Sequence, residues 1–139
     1  MLRLGSLRRQ QLSERRHREG KPEHVEFGIG QVVRHKRYGY RGVVIGWSST
    51  CEAPQEWQEA MQIDRLQHKE NQAFYHTLVD TRDRPGEQRT YMAAENVSLH
   101  TELEPIVHPE VESHFFAFDP IRGHYIANES LRAQYPDDG

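Results

Sequence analysis

A chain of 139 residues with 35% hydrophobic and 28% charged side chains is long enough for one domain with a modest core, too short for two, and polar enough to include a tail or long loop. Its one cysteine, Cys51, excludes an intramolecular disulfide and favours a reducing compartment, while no apolar run approaches the ~20 residues of a membrane-spanning helix. The formal charge of −3 hides an asymmetry: residues 1–26 hold seven of the 18 Lys and Arg but four of the 21 Asp and Glu, so residues 27–139 carry 17 acids against 11 bases, the wrong sign for a generic polyanion binder.

Residues 1–26 are predicted as a basic arm or linker. Leucines are sparse (Leu2, Leu4, Leu7, Leu12) and aromatic residues absent, so a charged helix could form there but could bury little. The first thirteen residues are Arg-rich and free of acids, which allows a mitochondrial presequence; Glu14, Glu19 and the poverty in Ser oppose it, and a cytoplasmic or nuclear protein is the expectation. Gly20 and Pro22 then punctuate the chain, and the body is expected over 27–139.

From Phe27 the pattern alternates. "FGIGQVVRHK" reads as a strand centred on Val32 and Val33, "YRGVVIGW" as a second, with Gly39 in the turn between them. Gly28, Gly30, Gly42 and Gly46 within or beside these strands suit a small, sharply bent barrel. "CEAPQEWQEAMQIDRLQ" predicts a short helical insertion with Pro54 in its first turn and Trp57, Met61 and Leu66 as its apolar stripe. A strand over 73–80, a turn at Pro85 and Gly86, and "RTYMAAENVSL" as a strand running into a helical turn at 93–96 follow. In "HPEVESHFFAF", Pro109 opens a predicted helix with Val111, Phe115 and Phe118 at i, i+4 and i+7; in "IANESLRAQYPDDG", Asn128 caps another, with Leu131 and Tyr135 one turn apart and Pro136 ending it. Both are expected to dock on a mainly β, antiparallel barrel.

The motifs GQVVRH at 30–35, GYRGVV at 39–44, the pair Tyr75 and His76, and the block at 91–96, in this order and spacing, resemble the YccV-like family, also called HspQ or the hemimethylated-DNA-binding-protein family, over about residues 27–100. "HPEVESHFFAF" and "HYIANESLRAQYPDD" look like the animal version of this domain, found at the C-terminus of an F-box protein of the ubiquitin-ligase system. The resemblance implies a small SH3-like antiparallel β-barrel with short peripheral helices. For function it implies hemimethylated-DNA binding, delivery of substrates to protein-degrading machines, or a substrate-side module of a ubiquitin ligase; fold does not choose among them. The residues before Phe27 are too few and too charged for an F-box, so a stand-alone relative or a fragment of a larger protein is expected.

Arg34, His35, Lys36, Arg37 and Arg41, with Tyr38 and Tyr40, form the one basic cluster of the body, since no acid lies between Phe27 and Glu52. Cations there could contact phosphates while a tyrosine stacks on a base, or the segment could be a solvated hairpin with its tyrosines half-buried. The nine histidines include His100, His108, His114 and His124 in the C-terminal third; their spacings match no compact ligand motif, there is no HExxH, and Cys51 has no CxxC companion, so neither metal nor cofactor is expected. His35 and His76, in predicted strands, are expected to stay neutral, each with a ring-to-backbone hydrogen bond. Cys51 lies in "SSTCEAP", where a half-buried structural residue is the expectation, and with no phosphate loop the chain reads as non-enzymatic. Trp47, Trp57, Tyr75 and Tyr91 either fill the core or line a partner groove; Trp47 and Tyr75 lean to the core, Trp57 to a partner-facing anchor. The expectation is a binding module recognising a protein partner or degradation client in protein quality control, through a groove between the first hairpin and the insertion, with no membrane contact. The alternative is a domain preferring hemimethylated DNA and using residues 34–41.

Overall fold

The computed structural model describes residues 20–138; the basic arm up to residue 19, with its presequence alternative, lies outside the described residues. The architecture is mainly β, and the described residues form seven strands in antiparallel sheets and three short α-helices. Among the described residues no helix is long and apolar enough to cross a membrane.

Strands β1 (Val32–His35), β2 (Arg41–Ser48), β3 (Phe74–Val79), β4 (Arg89–Ala93) and β5 (Val97–Leu99) form one sheet in the order β4-β3-β2-β1-β5. The β-branched pairs Val32, Val33 and Val43, Val44 are all buried, so β1 and β2 are covered on both faces. The link from β4 to β5 is a 3-10 turn of three residues, Ala94–Asn96. Such a turn spans ~6 Å at ~2 Å per residue, whereas the edges of a flat five-stranded sheet lie ~19 Å apart at ~4.8 Å per strand. The sheet must therefore curl, and it closes around Val33, Val44, Trp47, Tyr75, Val79, Met92 and Val97. No ladder joins β4 to β5, so the expected barrel is an open one. Val25 and Phe27 also enter this interior, so packing begins two residues ahead of the expected start of the body. β5 was not anticipated as a strand; it pairs with β1 through Val33 and Leu99.

Two covers lie on the outer face. The insertion after β2 contains α1 (Gln55–Ala60) and a 3-10 turn at Ile63–Arg65; Pro54 stands at its N-cap rather than inside its first turn. Ile63, Trp57 and Leu66 pack with Phe74, Ala93 and Tyr91. The second cover is C-terminal: α2 (Val111–His114), the hairpin of β6 (Phe115–Asp119) and β7 (His124–Ala127), and α3 (Glu129–Gln134). Ile106, Phe115, Tyr125 and Leu131 pack there on Val32, Val43, Ile45 and Leu78. Asn128 caps α3 as expected, its Oδ1 accepting from the Leu131 amide at 2.9 Å.

The helix expected from Pro109 through Phe118 is corrected by this layer. It stops at His114, and Phe115 already has φ −124 and ψ 140. The aromatic run prefers extended backbone, and β6 pairs Phe115 with Ala127 and Ala117 with Ile126, leaving a bulge at Phe116. In a regular strand residues three apart face opposite ways. The bulge restores Phe118 to the side of Phe115, against Tyr125, which is why the spacing imitates a helix.

Candidate functional site

The first hairpin divides the basic cluster into an inward and an outward set. His35 is buried, and its Nδ1 accepts from the Arg37 and Tyr38 amides at 3.1 and 3.0 Å. Burial, then Arg84 and Arg37, push its pKa down, so the ring is neutral and shapes the turn. Tyr40 is buried too, with its hydroxyl 3.2 Å from Thr90 Oγ1. Arg41 is held by Asp83 at Nε and Nη2, 2.7 and 2.9 Å, and by Glu104 at Nη1, 2.5 Å. All three of its side-chain nitrogens are engaged by carboxylates, which commits it to an ion-pair network within the fold. Arg34, Lys36 and Arg37 remain outward, beside Tyr38 at 60% exposure. Arg84, in the loop between β3 and β4, joins them with its guanidinium 4.5 Å from the Tyr40 ring and 5.5 Å from the Tyr38 ring. Nothing in the local sequence pointed to Arg84; the sheet order brings its loop beside this turn.

The aromatic residues divide likewise. Trp47 and Tyr75 are 3% and 0% exposed; the Trp47 indole donates to Asp138 at 3.0 Å and the Tyr75 hydroxyl accepts from the Phe27 amide at 3.2 Å. They sit in the core, where a docking chain would not reach their rings. Trp57 and Tyr91 are half-buried and lie edge to face, 5.5 Å between centroids. Tyr91 stacks on His76 at 4.4 Å. Its hydroxyl bonds Ser48 Oγ and accepts from the Glu52 amide at 3.0 Å, and burial pushes its pKa up to about 12. Trp57, Tyr91 and His76 thus form a fixed row across the outer face of β3 and β4. The surface beside Trp57 is this face, not the first hairpin.

His76 lies where neither cover reaches. One side of its ring rests on Tyr91, the residue as a whole is exposed, and among the described residues no backbone hydrogen bond holds it, contrary to expectation. Burial of that one side and nearby Arg89 push its pKa down. The gap there is a cleft of about 300 Å³ between the sheet and the C-terminal layer, with Ile45, Gly46 and Leu131 among its walls beside Arg89, His114 and Tyr135. Gly46 is required by close approach: a Cβ there would stand 2.7 Å from the Tyr135 hydroxyl and 3.3 Å from the His76 ring.

Elsewhere, His100 Nε2 lies 3.3 Å from Glu104 and 3.9 Å from Glu102, and the ligand atoms of all three residues lie within 4.8 Å of one another. The sequence spacing did not suggest this trio. The Glu104 oxygen facing His100 also receives Arg41, so the trio ends an ion-pair network, and an ion there would compete with a guanidinium for it. Cys51, at intermediate exposure, packs with the insertion cluster.

The family described as YccV-like, hemimethylated DNA-binding protein YccV like, matches residues 25–122. F-box only protein 21 of Mus musculus is 40% identical over 126 residues, covering 91% of this chain and 18% of that protein. F-box only protein 21 of Homo sapiens is 38% identical over 126 residues with the same coverage. The chain therefore spans less than a fifth of the length of these curated relatives.

Proposed function

The chain belongs to the YccV-like family, and from that membership we propose that it is a non-enzymatic binding module that docks a polypeptide, a protein partner or degradation client, along the outer face of β3 and β4. Trp57 is its anchor, Tyr91 the rigid support beneath, and the resemblance to F-box only proteins supports a client-recognition role in protein quality control, in cytoplasm or nucleus.

The observation that carries this reading is the state of the basic cluster. His35, Tyr40 and Arg41 are committed to the hairpin's own structure. A duplex would meet Arg34, Lys36, Arg37 and Arg84 on a body with 17 acids against 11 bases, which opposes steering toward a polyanion. DNA binding is the second reading, favoured by exposed Tyr38 beside those cations.

Two measurements on one preparation test it: binding to an array of peptides of ~15 residues, and gel retardation of a hemimethylated duplex at low and physiological salt. Peptide binding should fall at least ~tenfold in Trp57→Ala, with no retardation at physiological salt. Retardation at that salt, abolished by replacing Arg34, Lys36, Arg37 and Arg84 with Gln and indifferent to Trp57→Ala, overturns the proposal in favour of DNA.

A further inference from the structure

We infer that the cleft between the sheet and the C-terminal layer binds a carboxylate of the docked polypeptide. The inference rests on the polypeptide reading for the source of that group, and on the cleft for its chemistry.

No acidic residue lines this cleft, in a body where acids outnumber bases 17 to 11. Its titratable lining groups are Arg89, His76, His114 and Tyr135, and none carries negative charge at neutral pH. The Glu110 carboxylate is engaged by Arg89, which donates to it from Nε, 3.1 Å, and from Nη2. That chelation fixes the guanidinium and leaves Nη1 without a hydrogen-bond partner among the described residues, on a side chain 53% exposed. His114 donates from Nδ1 to the Glu110 carbonyl at 2.9 Å, so Nε2 is its remaining polar atom. Ser130 adds a hydroxyl from the first turn of α3 that makes no hydrogen bond among the described residues.

The rest of the cleft sets size and polarity. Ile45 and Leu131 are 8% and 4% exposed and give it an apolar base, so a ligand presents a charged group beside a small apolar one. About 300 Å³ admits one or two residues and not a helix. One guanidinium with imidazoles suits a monoanion better than a phosphate dianion. The row Trp57, Tyr91, His76 leads into it, so a chain anchored at Trp57 could reach it in extended form. A chain terminus and an Asp or Glu side chain offer the same carboxylate.

The test is an NMR titration of the full chain, following the His76 and His114 ring signals and the Arg89 Nε signal. The probes are acetyl-Gly-Ala-Leu as free acid, the same tripeptide as amide, and acetyl-Gly-Glu-Leu amide. Saturable shifts at or below ~1 mM with an acid-bearing probe, and none with the first amide, are expected. Response to the free acid alone identifies a chain terminus, and response to the Glu peptide a side chain. Affinity should fall at least ~tenfold in Arg89→Gln. Because that change also breaks the Glu110 pair, Ser130→Trp, at an exposed site, should block the cleft with the fold intact. Silence up to ~10 mM, equal response to the amide, or indifference to both variants overturns the inference. Loss of Trp57 docking with the cleft still responsive sinks only the polypeptide reading; a silent cleft with Trp57 docking intact sinks only this one.

Discussion

Asp80 is 0% exposed and charged. It receives the Arg82 side chain at 2.8 and 3.0 Å, the Arg82 amide at 2.8 Å and the Val107 amide at 3.1 Å. Burial alone would raise its pKa; the Arg82 guanidinium and the two amides outweigh it and hold the carboxyl at about 2. With the folded pKa below the unfolded ~3.9, its stabilisation is complete above ~pH 4 and lost as the pH falls through 2. Asp80→Asn is therefore expected to cost ~2 kcal/mol at neutral pH and to flatten the loss of stability between ~pH 4 and 2, measured by denaturant unfolding across pH. Gly30 is the backbone counterpart, with φ +89 and a Cβ that would stand 2.2 Å from the Tyr125 carbonyl oxygen. Gly30→Ala should lower stability by ~2 kcal/mol or more, from strain and from displacement of β7. The sequence marked Gly30 as a bend, yet the partner that forbids a side chain lies 95 positions away along the chain.

At the scale of elements, α3 and β6 contrast in what local signals can carry. The cap of α3 is written within four residues, 128–131, and Asn128→Ala should cost ~1 kcal/mol in thermal unfolding. β6 is set by a pairing: its aromatic residues satisfy a helical spacing only because the bulge at Phe116 adds one residue. Phe116 is 80% exposed, so Phe116→Ser should change stability by less than ~0.5 kcal/mol. Inserting an alanine between Ala117 and Phe118 should be far more damaging, because a one-residue slip turns Phe118 away from Tyr125. Comparing the two by denaturation separates loss of a side chain from loss of register. β5 was illegible for a related reason: three residues are too few for a periodic pattern, and the ladder with β1 defines them.

For the whole molecule, charge placement matters more than net charge. The described outward cations at the hairpin are Arg34, Lys36, Arg37 and Arg84, and four phosphate contacts give a log–log salt slope no steeper than ~−3.6. Any duplex association through them should weaken at most ~150-fold between 50 and 200 mM salt, read by fluorescence anisotropy. A steeper slope would bring in the arginines of residues 1–26.

Composition and local pattern determined by themselves that the fold is antiparallel and mainly β and where β1 to β4 and α3 run, and they named an aromatic set and a basic hairpin as candidates for recognition, because alternation, turn glycines and caps act over a few residues. Only the tertiary structure decided which of those side chains face outward. Asp83 and Glu104 engage Arg41, the core encloses Trp47 and Tyr75, and Arg84 comes beside the hairpin tyrosines, since ion pairing and burial depend on neighbours that the curl of the sheet brings together from distant parts of the chain.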